Sequence, residues 1–89
     1  MELKVKGQFY RDLERYSNRE LAIALRKNLE QMISAKNIVH IPNLKKLKKF
    51  GVQYRLKIMD NYRIGMVIRK NIITLVCFAH RSNFYKKFP

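Results

Sequence analysis

The chain has 89 residues, with 20 Lys and Arg against 6 Asp and Glu, a formal net charge of +14. This length makes one domain near the small end of what folds alone, and 47% hydrophobic residues with only 3 Gly and 2 Pro exclude a disordered or low-complexity chain. Unbalanced charge of this size repels itself in a compact fold, so it points to a polyanionic partner: nucleic acid, an anionic membrane surface or an acidic protein.

Leu3 and Val5 alternate with Glu2, Lys4 and Lys6, which predicts a short first strand that Gly7 ends. Phe9, Leu13 and Tyr16 then recur at helical spacing. Ser17 is expected to close this helix and to cap the next, because Ser17 and Glu20 have the spacing of a capping box. The second helix is predicted to run to about Lys36. Leu21, Leu25, Leu29 and Met32 form its apolar face, and Ile23 falls on the polar side. Asn37 to Asn43 reads as a loop, since Pro42 disfavours a helix or an inner strand. LKKLKKFG fits either a helical turn or a strand.

From Val52 the period changes to two. Val52, Tyr54, Leu56 and Ile58 share one face, and Gln53, Arg55, Lys57 and Met59 the other. Asp60-Asn61 is expected to form a tight turn, because both residues tolerate positive φ. YRIGMVIR follows as a strand, then a turn at Lys70-Asn71, then IITLVCFA as a third. The expected fold is α+β, in the order β-α-α-β-β-β. Two helices pack on one face of a mostly antiparallel four-stranded sheet, and the other face stays free.

The lone Cys77 lies in an apolar run, so it reads as a small buried hydrophobe in a reducing compartment. One Cys and two His supply too few soft ligands for zinc. The start MELKVKGQFY lacks a signal-peptide core, and the run Ile72 to Ala79 is too short to span a bilayer. The expectation is one cytoplasmic domain over residues 1–89, without metal or small-molecule cofactor.

The free face carries the chemistry. Strand parity places Arg55, Lys57 and Arg63 together there, and Arg81 and Tyr85 arrive from the C-terminal edge after His80. Any one of them alone reads as ordinary solvated surface. Four cations on one face repel each other unless an anion is expected. Lys45, Lys46, Lys48 and Lys49 form a further basic run, either a solvated turn or an additional contact to RNA. No glycine-rich phosphate loop, GxSxG elbow or carboxylate pair offers a competing chemistry.

The element order, the segment YRLKIMDNYRIGMVI and the ending HRSNFYKKF together resemble the RelE toxins of toxin–antitoxin pairs, within the broader RelE/ParE superfamily. The likeness covers nearly the whole chain through short, degenerate motifs. It implies a toxin that cuts messenger RNA on the ribosome, by attack of a ribose 2′-OH on the adjacent phosphate, and a cognate antitoxin that restrains it. By the resemblance, Lys57 matches the base, Arg63 the arginine that stabilises charge on phosphorus, and Arg81 the arginine expected to protonate the leaving 5′-oxygen. Tyr85 matches the tyrosine that orients the nucleotide. His80 stands where the family tends to carry Lys, and is an alternative acid or base. Arg55 replaces a family Lys; it cannot act as a base but still holds a phosphate. ParE-like members inhibit DNA gyrase and lack the full set, so that activity is the alternative, with a plain RNA- or ribosome-binding domain as a third.

Overall fold

The computed structural model of the chain describes residues 1–16, 18–48 and 51–89. Its elements are β1 (Glu2–Val5), α1 (Gly7–Leu13), α2 (Arg19–Ser34), a single 3-10 turn (Ile38–His40), β2 (Leu44–Lys46), β3 (Gln53–Ile58), β4 (Tyr62–Arg69), β5 (Ile72–His80) and α3 (Arg81–Lys87). The strands form one mixed sheet in the order β1-β5-β4-β3-β2. β1 runs parallel to β5 and the other pairs are antiparallel.

Among the described residues the sheet thus has five strands instead of the expected four, and there are three α-helices instead of two. The added strand resolves the ambiguous LKKLKKFG segment: Leu44, Lys45 and Lys46 pair with Leu56, Arg55 and Tyr54 as an edge strand. The added helix forms from RSNFYKK. Its apolar residue Phe84, with Phe88 just beyond, packs on Cys77 and Ala79. The face expected to stay free is therefore partly covered.

The main core lies on the other side of the sheet. Leu56 and Ile58 of β3, Ile64, Met66 and Ile68 of β4, and Ile73, Leu75 and Phe78 of β5 meet Phe9, Leu21 and Met32 from the helices. Alternation on β3 and β4 matches the sequence expectation. Helix α2 ends at Ser34, two residues short of the expected end. Its N-cap is Asn18, not Ser17: the Asn18 side chain accepts the Leu21 N–H at 3.1 Å. Ser17 itself lies outside the described residues. Ile23 is exposed, as its polar-side position predicts.

β5 departs from simple alternation. Gly65 pairs with Cys77 but Met66 with Leu75, so Val76 is an extra residue in a bulge. The bulge turns Phe78 and His80 to the helix-covered face and Cys77 and Ala79 to the α3 side.

β1 is too short to cover all of β5. Its pairing ends at Val5–Leu75, and side chains from α1 and the segment just after it take over the remaining edge. The buried Asp12 carboxylate accepts the Phe78 N–H at 3.0 Å, and the Tyr16 hydroxyl accepts the His80 N–H at 3.3 Å. Four residues apart on the chain, the two acceptors meet N–H groups two residues apart on the strand. Buried main-chain donors must be paired somewhere, and here two side chains stand in for a strand.

Candidate nucleic-acid interface

The site is built on the β3–β4 hairpin. Register sets Lys57 directly opposite Arg63, and Arg55 opposite Gly65. All lie on the face away from α1 and α2, as parity predicts. The turn between the strands spans Met59, Asp60 and Asn61. Met59 and Asp60 are the left-handed residues, at φ 54° and 65°, where the sequence pointed to Asp60 and Asn61. Lys70 and Asn71 form the other hairpin turn as expected, both at positive φ.

α3 brings in the C-terminal residues. The Arg81 N–H donates to the Asn61 carbonyl at 2.8 Å, which fastens the helix start to the turn. Arg81 Nη1 reaches Asp60 Oδ2 at 3.2 Å, and Lys57 Nζ reaches Asp60 Oδ1 at 3.1 Å. Arg63 Nη1 donates to the main-chain carbonyls of Asp60 and Tyr62 at 2.7 and 3.0 Å. Lys57, Arg63 and Arg81 thus converge on one turn residue. The hydrogen bond and charge of Lys57, followed by the charges of Arg81 and Arg63, hold the Asp60 carboxyl below its ordinary range.

Tyr85 is exposed on α3, with its ring edge-on to Phe84. Arg55 is half-buried beside the α3-covered part of the face, and its Nε has no hydrogen-bond partner among the described residues. Lys45 pairs with Arg55 and extends the basic face. Lys46 points to the other side, over the Tyr54 ring. Lys48 is exposed, and Lys49 lies outside the described residues.

His80 is placed apart from this cluster. It pairs with Tyr62 and packs edge-on against that ring, on the helix-covered face. Its Nδ1 accepts the Ser82 N–H at 3.2 Å and lies 2.9 Å from Ser82 Oγ, so it serves as the N-cap of α3.

α3 is anchored at both ends. Phe88 lies over Gly65, where an added Cβ would come within 2.7 Å of its ring and of Cys77 Sγ. Lys87 reaches round the sheet edge to Asp12 at 3.1 Å. Burial disfavours the charged form of Asp12, but the Phe78 N–H, Gln8 and Lys87 outweigh it and hold the carboxyl below its ordinary range. Burial, reinforced by the Asp12 charge, pushes the Cys77 thiol up to about 11. Farther along the same face, Lys4, Lys6, Arg69 and Lys70 border a groove floored by Val67, Ile72 and Val76. Among the described residues, no three His, Cys, Asp or Glu side chains gather as a metal site requires, and no helix is long and apolar enough to cross a membrane.

No protein-family model matches the chain, and no curated protein sequence matches it. Solved structures do. A chain of the RelB–RelE antitoxin–toxin complex from Methanococcus jannaschii superposes with a TM-score of 0.78 at 22% identity, over 97% of this chain and 99% of that one. A chain of the intact E. coli RelBE toxin–antitoxin complex gives 0.65 at 16% identity, over 88% and 93%. YafQ from E. coli gives 0.65 at 9%, over 94% and 97%. This is the RelE-type toxin fold. In this chain the sequence pointed to the cations that the hairpin gathers, but Asp60 read there only as a turn former. The spacing Lys57-x-x-Asp60 across a turn was the available signal. Asp12 was hidden too, because an acid at helical spacing looks like solvated surface until the strand edge beside it is known.

Proposed function

We propose that the chain is the toxin of a type II toxin–antitoxin pair, an endoribonuclease that cuts messenger RNA on the ribosome. The observation that carries this reading is the convergence of Lys57, Arg63 and Arg81 on one hairpin turn of a RelE-type fold. In such a site the 2′-OH attacks the adjacent phosphorus, the 5′-oxygen leaves, and negative charge builds on the phosphoryl oxygens between the two events. Cations fixed there favour the transition state over the ground state. Lys57 in its neutral form takes the 2′-OH proton, Arg63 holds the phosphoryl oxygens, and Arg81 hydrogen-bonds the leaving 5′-oxygen while that oxygen takes a proton from water. Tyr85, exposed beside them, offers a ring on which a base stacks. Arg55 and Lys45 extend the basic track, and Lys46, Lys48 and Lys49 add long-range attraction. His80 caps α3, so its part in the reaction is to hold that helix in place.

A cognate antitoxin is the second partner. Two of the similar structures are complexes of a toxin with an antitoxin. The groove bordered by Lys4, Lys6, Arg69 and Lys70 has an aliphatic floor without aromatic rings. That composition suits an acidic amphipathic protein segment better than stacked bases. The protein then acts in the cytoplasm, where its message and ribosome are.

Induced expression with growth measurement and mapping of RNA 5′ ends tests the proposal. The parent chain is expected to arrest growth and produce new 5′ ends in translated messages. Arg63→Ala and Arg81→Ala should each lower cleavage by roughly two to three orders of magnitude, by analogy with the loss of one oxyanion donor. Lys57→Arg keeps the charge but removes a usable base, so it should fail too. Growth arrest by all three variants, without new 5′ ends, would replace this reading with a protein-binding toxin of the gyrase-inhibiting kind.

A further inference from the structure

The chain has six acidic residues, and one of them, Asp60, sits inside the cation cluster. Each of its carboxylate oxygens is taken by a different cation, Oδ1 by Lys57 at 3.1 Å and Oδ2 by Arg81 at 3.2 Å. Its main-chain carbonyl takes Arg63 at 2.7 Å. A carboxylate and a phosphodiester both present two oxygens that share one negative charge. Cations arranged around the first are therefore arranged for the second. The turn holds the carboxylate in place: Met59 and Asp60 are consecutive left-handed residues, a conformation unusual outside glycine. Met59, in particular, has no side-chain chemistry that favours it. The bond from the Arg81 N–H to the Asn61 carbonyl then locks the turn against α3.

We propose that Asp60 is a built-in occupant of the phosphate site, holding Lys57 and Arg81 together in the free protein until a substrate phosphodiester displaces it. The proposal rests on the reading of this cluster as the RNA site. It explains how the cations stay gathered without an external anion. It also adds a selectivity device. An internal competitor weakens the hold on any lone phosphodiester, so productive binding goes to RNA that is secured by further contacts elsewhere, as a message on a ribosome is.

The test is binding of a short single-stranded RNA carrying 2′-O-methyl groups, which has no 2′-OH to attack, followed by fluorescence anisotropy at fixed ionic strength. Asp60→Asn keeps the shape and removes the charge. It should tighten binding about three- to tenfold, as the release of two exposed ion pairs implies. Glu20→Gln, which removes a charge from the first turn of α2, controls for the change in net charge and should alter binding by less than about twofold. In an Arg81→Ala background about half of the Asp60→Asn gain should remain, carried by the Lys57–Asp60 pair, and in a Lys57→Ala, Arg81→Ala background it should vanish. Unchanged or weaker binding by Asp60→Asn, or a gain no larger than that of Glu20→Gln, overturns the proposal. Lys57→Ala and Arg63→Ala separate the two levels. If neither weakens binding, the cluster is not the RNA site. If they do and Asp60→Asn brings no gain, only the role of Asp60 falls.

Discussion

Asp12→Ala is the substitution that best tests how α3 and its cations are held in place. The Asp12 carboxylate is fully buried and accepts three hydrogen bonds, from Phe78 N–H at 3.0 Å, Gln8 Nε2 at 2.7 Å and Lys87 Nζ at 3.1 Å. Alanine leaves the Phe78 N–H without an acceptor on an edge that no strand covers. An orphaned buried donor costs about 1–3 kcal/mol, and breaking a buried ion pair about 3–5 kcal/mol. The Lys87 side chain is 34% exposed and regains water, which favours the low end of the second range. Taking the low end of both, the combined expectation is about 4 kcal/mol, or a fall in Tm of roughly 16–32 °C for a domain of this size. Asp12→Asn keeps one acceptor oxygen and should lose about half as much.

Acid adds a second, independent check on Asp12. Its folded pKa lies below the unfolded value of about 3.9, so its charge contributes stability above that pH and loses it as pH falls through the folded pKa. A protonated Asp12 resembles Asn. The stability gap between the parent and Asp12→Asn should therefore be full at pH 7 and shrink only as pH falls through the folded pKa, below the unfolded value. Thermal and urea unfolding followed by circular dichroism from pH 2 to 8 measures both effects. A Tm loss under about 4 °C for Asp12→Ala, or a gap to Asp12→Asn that does not depend on pH, would refute the argument.

Gly65→Ala should loosen α3 without unfolding the sheet, because its Cβ would meet the Phe88 ring and Cys77 Sγ at 2.7 Å while the main core lies on the other face. Amide hydrogen exchange should show lost protection confined to residues 81–88, and RNA cleavage should fall as Arg81 and Tyr85 lose their positions. Cys77 in the parent should resist a thiol-specific reagent at pH 8 until the protein unfolds, since it is buried and its pKa is pushed up to about 11; in Gly65→Ala the reaction should speed up. Affinity of the parent for RNA should fall steeply with salt, by roughly 0.7 in log–log slope for each phosphate neutralised on a single strand; a flat response would mean that the basic face does not meet nucleic acid.

The strand faces were legible in the sequence because a two-residue period leaves only two choices of face, and burial selects one. Leu56 and Ile58 had to go inward, so Arg55 and Lys57 had to go outward, and the hairpin then brought Arg63 to their side. The charge imbalance and the apolar run of β5 were equally plain. The face of His80 was not, because β5 is apolar on both sides and nothing local marks Val76 as the bulge that turns the strand over. The third helix was hidden for a related reason. RSNFYKK is too short to form a helix by itself in water, and only docking of Phe84 and Phe88 on the Gly65–Cys77 surface stabilises it. Asp12 and Asp60 take their roles from partners far along the chain. A carboxylate 66 residues from Phe78 becomes a strand-edge acceptor only when β1 stops short, and Asp60 becomes the centre of a cation cluster only when α3 delivers Arg81 to the turn. Local spacing encodes which side of a strand a residue takes, but which charges meet is decided by long-range closure of the chain.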